Sequence, residues 1–427
     1  MKIHVDMRAV IGVAVFGLLA AVHASGLSVT NVTAQQRWPW NGLVDIDYEI
    51  VSSNADEDVY VYPTGFDKDR ALAIAPRTLT GDGADNQTVK PGKHRMTWNM
   101  AADQPTLHSS AFAISVHAFS GTQPYLVLDL SSGPNSLNYP YWYSSTPPDL
   151  SNDACRTTNL WLRLVTPGTF MMGSPTDELG RNGGETLHRV TLTKPYYIGV
   201  FEMTQKQYAL ITGSDPSYYG SKGDRRPVEM VSYVDLRGAI NGLAWPVNNQ
   251  VDETSVIGKL RLRTNLTFDL PTEAQWEYAC RAGTSTALNS GNNLTNDTSD
   301  ASLAAVGRYS SNQADGKGGY TSFHTVAGSY LFNGWGIYDM HGNVFEWCLD
   351  ANSEYTSAAV TDPVGGSGGT NPSRVIRGGY FDSQSRSCRS ASRSSHESAF
   401  SSDELSYYGG LGAKKYGFRL VVIPPVQ

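Results

Sequence analysis

"YDMHGNVFEWC", residues 338–348, sets two acids, Asp339 and Glu346, on either side of a Gly-Asn turn and adds two aromatics, Phe345 and Trp347. Polar and apolar residues alternate here too tightly for an ordinary core strand. Three readings are open: reaction site, metal site or binding surface. The two carboxylates are hard oxygen donors, and the backbone carbonyls of Gly342 and Val344 would complete the mixture of oxygens that suits calcium. The plainer alternative is that both acids are solvated.

Downstream, "RVIRGGYFDSQSRSCRSASR", residues 374–393, carries Arg374, Arg377, Arg386, Arg389 and Arg393 among serines and aromatics. These are either structural arginines of a strand-loop-strand or a surface that grips peptide or anionic groups through guanidinium forks. Upstream, "TQKQYALITG" reads as a helix with a capping box, Thr204 with Gln207, and Gly213 as its stop; "PTEAQWEYACRAG" repeats the device with Thr272, Gln275 and Gly283. Another helix starts at Ser232. Trp276, Ala279 and Cys280 share one helical face and read as core. "GGSGG", residues 365–369, formally matches a nucleophile elbow, but "TDPV" before it and "TNPSR" after it supply neither the strand nor the helix that motif needs. It reads as a loop.

Residues 26–135 follow a strand grammar. "LVDIDYEIV" puts Val44, Ile46, Tyr48 and Ile50 on one face, "HRMTWNM" and "SAFAISVHAF" alternate likewise, and "GDGADN" and "KPGK" are turns. An immunoglobulin-like, all-β sandwich is expected. The Pro-, Ser- and Tyr-rich residues 136–157 read as a linker. Residues 1–24 read as a signal peptide: Lys2 and Arg8, an apolar run from Ala9 to Val22, then a small-residue cleavage site. The protein is therefore expected to be exported, secreted or periplasmic, with no membrane association after cleavage.

The 427 residues carry a net charge of −7, which gives no basic footprint for nucleic acid. Cys155, Cys280, Cys348 and Cys388 make an even count, so export predicts at least one disulfide, with the pairing open. The scattered histidines include no zinc spacing.

"LVTPGTFMMGSPTDE", "YYIGVFEMTQKQY", "RPVEMVSYVD", "LPTEAQWEYACRAGT", "NGWGIYDMHGNVFEW", "RVIRGGYF" and "YGFRL" occur in that order. Together they resemble the formylglycine-generating enzyme family, also called sulfatase-modifying factors, over residues 158–424. The resemblance implies an α+β, C-type lectin-like domain with little regular secondary structure. It also implies a calcium ion held by Asp339, Gly342, Val344 and Glu346, with Asp339 standing where the enzymes have Asn. Family enzymes oxidise a sulfatase cysteine to formylglycine, using oxygen and a copper ion held by two cysteines. Those two positions fall on Ser383 and Cys388. A hydroxyl is a poor ligand for soft Cu(I). Tyr380 replaces a family serine and Phe345 a tryptophan, and Cys388 has Cys280 and Cys348 as conceivable partners.

Two functions follow. One is a non-catalytic protein that binds a protein or peptide ligand through its Tyr- and Ser-rich C-terminal loops, a composition suited to adaptable contact surfaces. Its working residues would be Tyr380, Phe381, Arg386 and Tyr407, with Phe345 and Trp347 as a floor. This composition also resembles the variable regions of proteins diversified by retroelements on a lectin-like fold. The alternative is a copper-dependent oxidase that matures a sulfatase through Cys388 and Ser383.

Overall fold

The computed structural model describes residues 27–38, 41–67, 69, 72–74, 76, 78–84, 87–103, 112–120, 124–313, 322–365, 373–398 and 413–423. The expected signal peptide, residues 1–24, and Tyr407 lie outside them. The chain forms two compact units, one built from residues up to 123 with 137–140, the other from 124–136 and from 141 onward.

In the first unit, the alternation of "LVDIDYEIV" becomes the strand Leu43–Val51, with Val44, Ile46, Tyr48 and Ile50 all buried. It lies second in a sheet ordered Ser28–Gln36, Leu43–Val51, Gly92–Asn99, Leu79–Gly81. A second sheet runs Leu72–Ile74, Val59–Asp67, Phe112–Ser120. Ile46, Tyr48, Met96 and Trp98 from the first sheet and Val59, Val61 and Val116 from the second share one apolar cluster, so the two sheets pack as a sandwich.

The boundary differs from the expected one. Tyr125–Asp129 does not finish the sandwich. It pairs with Asn159–Val165 and Tyr141–Ser144 in the second unit. Tyr125, Leu126, Val127 and Leu128 are all buried, the run of a strand covered on both faces, not the alternation of one half exposed. The expected linker is corrected too. Tyr141–Ser144 is the edge strand of that sheet, and Asn152 caps a 3-10 turn, Asp153–Arg156, that buries Cys155. Three of the linker's aromatics, Tyr141, Trp142 and Tyr143, are strand residues.

The second unit is α+β. Its six-stranded sheet is ordered Thr267–Asp269, Val421–Ile423, Tyr196–Gly199, Asn159–Val165, Tyr125–Asp129, Tyr141–Ser144. A four-stranded sheet, Arg393–Glu397, Ser373–Arg377, Phe345–Ala351, Tyr416–Gly417, holds the stretch that opened the sequence analysis. The helices are short. Gln205–Thr212 has the Thr204–Gln207 capping box and ends at left-handed Gly213. Glu273–Arg281 has the Thr272–Gln275 box, but its left-handed terminal residue is Ala282, one position before the expected Gly283. The helix after Ser232 stops at Gly238, having run only Tyr233–Arg237. Trp276, Ala279 and Cys280 are fully buried in the main core with Met340, Cys348 and Val375.

Candidate functional site

Strand Phe345–Ala351 presents its side chains to two different environments. Glu346 points into the protein and is 0% exposed. Its Oε2 accepts from Arg419 Nε at 2.6 Å and from Trp276 Nε1 at 2.7 Å, and its Oε1 accepts from Arg419 Nη2 at 2.6 Å. Beside it stand two more buried acids, Asp339 and Glu202. Asp339 Oδ2 accepts from the Gly328 N–H at 2.6 Å, while Oδ1 is buried with no hydrogen-bond partner. Glu202 accepts from the Val344 N–H at 3.1 Å and from the side chain of Asn343. Asp339 (φ 57) and Asn343 (φ 62) hold the left-handed turns that fold the segment around these acids, a conformation that Asp and Asn tolerate best among side-chain-bearing residues.

Three buried carboxylates thus stand near one guanidinium, and of the three only Glu346 is bonded to it. Burial pushes the Asp339 carboxyl up to about 6. Burial, followed by the charges of Asp339 and Glu346, raises Glu202 well above the usual carboxylate range. The four expected calcium ligands do not fit the ion as a set, because both Glu346 oxygens are committed to Arg419 and Trp276. Asp339 keeps a free oxygen. The sequence reading missed Glu202, and the available signal was an acid between Phe201 and Met203 inside the apolar run "GVFEM".

Phe345 faces the other way and is half-buried. Its ring lies 5.2 Å from Tyr380 and 6.0 Å from Tyr416, and Tyr380 lies 5.3 Å from Phe381. The expected floor beneath the "RGGYF" turn is therefore made by Phe345. Trp347 sits deeper, fully buried, with Nε1 donating to the Val231 carbonyl at 2.8 Å. Phe381 is 5% exposed and backs the surface; Tyr380 is half-buried and forms it. From Phe381 the rings continue to Tyr219 at 6.0 Å, and from Tyr219 to Tyr218 and Phe323 at 5.0 and 5.5 Å. The sequence reading passed over the doublet Tyr218-Tyr219.

The arginines are mostly structural. Arg374 donates to the carbonyls of Leu349 and Leu243. Arg377 pairs with Glu277 and lies 5.2 Å over the Trp276 ring. Arg389 pairs with Glu178 and Glu185, and Arg393 with Glu273. Of the two readings open for them, these four follow the structural one, their guanidiniums being engaged by buried partners. Arg386 alone is exposed. It packs against Gly180, and its N–H donates to Asp297, away from the tyrosines.

Ser383 and Cys388 meet at one turn. The Ser383 hydroxyl accepts from the Tyr380 N–H at 3.0 Å, and a Cβ on Gly379 would fall 2.6 Å from the Cys388 sulfur. Cys388 is fully buried among Ala287, Leu288, Leu303 and Val306. Beside it, His341 Nδ1 donates to the Cys388 carbonyl at 2.6 Å and Nε2 accepts from the Asn289 N–H at 3.0 Å. That assignment requires a neutral ring, and burial lowers its pKa to about 4.

Residues 148–422 match the family described as the sulfatase-modifying factor enzyme 1-like domain. The formylglycine-generating enzyme of Streptomyces coelicolor is 30% identical over 286 residues, covering 59% of this chain and 89% of that protein. This chain belongs to the sulfatase-modifying factor family. The formylglycine-generating enzyme of Thermomonospora curvata is 29% identical over 246 residues, covering 50% of this chain and 80% of that protein. Among solved structures, Treponema denticola variable protein 1 has a TM-score of 0.48 and 23% identity, covering 62% of this chain and 96% of that one.

Within the sulfatase-modifying factor domain, the residues at the expected copper position do not fit the metal. Copper(I) there needs two thiolates. Burial pushes the Cys388 thiol up to about 12, and its neighbour offers a hydroxyl already engaged with the Tyr380 amide. The expected disulfide is also corrected: all four cysteines are free and buried. They occupy three packing environments. Cys155 lies with Val200 and Phe201, Cys280 and Cys348 lie in the main core, and Cys388 lies in its own cluster. Cys280 Sγ faces Ser390 Oγ at 3.6 Å.

Proposed function

We propose that this chain is an exported, non-catalytic binding protein on the sulfatase-modifying factor scaffold, taking a protein or peptide ligand at the Tyr380 surface. The observation that carries this reading is the Ser383–Cys388 turn. One position of the copper pair is a hydrogen-bonded hydroxyl, and the other is a thiol sunk in an apolar cluster, where the thiolate that copper needs is disfavoured. Phe345 and Tyr380, which replace the tryptophan and serine expected of the enzymes, stack on each other above that turn and support contact, not chemistry. Export rests on the expected signal peptide. Among the described residues, no helix is long and apolar enough to cross a membrane. The free oxygen of Asp339 supports a structural calcium on that side of the acid cluster; Glu346 does not.

The second reading is the copper-dependent oxidase acting on a sulfatase, and the 30% identity to a formylglycine-generating enzyme favours it. The deciding experiment incubates the full chain with copper, reductant, oxygen and a sulfatase-type cysteine peptide, and looks for the aldehyde by mass spectrometry. No aldehyde is expected. Multiple turnovers would establish the oxidase.

A further inference from the structure

The rings that start at Phe345 form two exposed aromatic groups backed by Phe381. One is Tyr218, Tyr219 and Phe323; the other is Tyr380 and Phe345. Tyr218 is 53% exposed and the others are half-buried. Four cations stand on these rings. Lys222 Nζ is 5.3 Å and the Arg226 guanidinium 5.0 Å from the centre of Phe323. Lys414 Nζ is 3.6 Å from the centre of Tyr218, and Lys415 Nζ 5.1 Å from that of Tyr380. Consecutive lysines therefore serve the two groups, one each.

Among the described residues none of these four cations has a carboxylate partner, although the chain carries a net charge of −7 and the buried Arg237, Arg377, Arg389 and Arg419 are each paired to an acid. The acids nearby are engaged elsewhere. Glu229 accepts from the Tyr218 and Tyr219 N–H groups and faces the buried His324 at 3.7 Å. Asp382 accepts from Gln313, Asp215 from the Ser217 N–H, and Asp224 pairs with Lys206. Burial lowers the pKa of both Arg226 and Lys415; Arg226 donates to the Lys222 and His324 carbonyls, whereas Lys415 has given up water without gaining a counter-charge. A ring face attracts a cation but leaves its N–H donors open to a carboxylate.

We propose that this surface binds an acidic polypeptide segment whose carboxylates reach Lys415 and Lys222 while its apolar or aromatic side chains lie on Tyr218, Tyr219 and Tyr380; Lys414, 7% exposed, is buried against Tyr218 and supports that ring. This deepens the binding reading and rests on it. A peptide fits better than a small anion because the cations are spread over two ring groups, which suits spaced carboxylates on one chain. Adjacent aromatics and unpaired cations give such a surface both contact area and charge complementarity.

The test uses the full chain and a fluorescein-labelled peptide of alternating Glu and Tyr, against its Gln-and-Tyr counterpart, by fluorescence anisotropy. The acidic peptide is expected to bind, to weaken at high salt, and to bind on the order of tenfold more tightly than the Gln peptide. Lys222→Gln, an exposed change that spares the fold, and Lys415→Gln, checked for folding by circular dichroism, are each expected to weaken it severalfold. Equal binding of both peptides, or no effect of the lysine changes in folded protein, overturns the acidic assignment; equally tight capture of heparin overturns the peptide assignment. Failure of the binding reading looks different: the wild type would then form the aldehyde from the sulfatase-type peptide.

Discussion

Arg419 holds Glu346 by two parallel bonds of 2.6 Å, across 73 positions of sequence, with both side chains fully buried. The pair joins the "GNVFEW" strand to the "YGFRL" end of the domain, and Trp276 adds a third bond from the helix Glu273–Arg281. Removing one partner strands the other charge away from water. Arg419→Met is therefore expected to lower unfolding stability by roughly 3–5 kcal/mol. Glu346→Leu combined with Arg419→Met is expected to cost much less than the two single changes summed. Urea denaturation of the three variants checks this; simple additivity would show that the pair is not coupled.

Asp339 gives the domain a pH dependence of known sign. Burial raises its carboxyl to about 6, above the ordinary aspartate value of 3.8. The associated stability is complete below about pH 4 and lost as pH rises through about 6, by at most roughly 3 kcal/mol. Asp350, raised to about 7, titrates in the same direction, so the difference between wild type and Asp339→Asn is the readout. The variant should gain on the wild type between pH 4 and 7 in urea midpoints. Equal slopes would place the proton elsewhere.

Calcium at the same cluster has its own signature. A ligand that binds only the folded state raises the melting temperature. Added calcium is expected to do so at neutral pH, chelator to reverse it, and Asp339→Asn to abolish it. A wild-type melting curve indifferent to both additions removes calcium from this site.

Copper tests the register of the Gly379 turn. The wild type is expected to lose Cu(I) to a competing chelator, and Ser383→Cys to hold it at least tenfold more tightly, since soft Cu(I) favours a second thiolate. A titration against that chelator reads both. No gain in the variant would mean that Ser383 is not the missing ligand position.

The cysteines give a direct count. Folded protein should react with no thiol reagent on the minute scale, and all four thiols should appear on denaturation without reductant, because each is buried and unpaired. Fewer than four would reveal a disulfide.

Much of the framework was legible because its signals are local. The alternation of Val44, Ile46, Tyr48 and Ile50, the Thr204 and Thr272 capping boxes and the Trp276 stripe each need only a few residues, and each stands as read. What escaped depends on distant partners. Nothing near Glu346 announces Arg419, so the acid read as a metal ligand. Nothing near Tyr125 announces the strand Asn159–Val165, so the sandwich was drawn too long. Arg377, Arg389 and Arg393 could be read as part of a surface because their acids, Glu277, Glu178, Glu185 and Glu273, lie far upstream in the chain.

The four-stranded sheet fixes the chain on both sides of residues 399–412. Before them, Arg393–Glu397 pairs in register with Ser373–Arg377, and the Ser398 carbonyl accepts from the Val234 N–H. After them, Tyr416–Gly417 pairs in parallel with Phe345–Glu346. Both ends of that interval are therefore tied into one sheet by main-chain hydrogen bonds, so an insert displayed there would start and finish on the same platform.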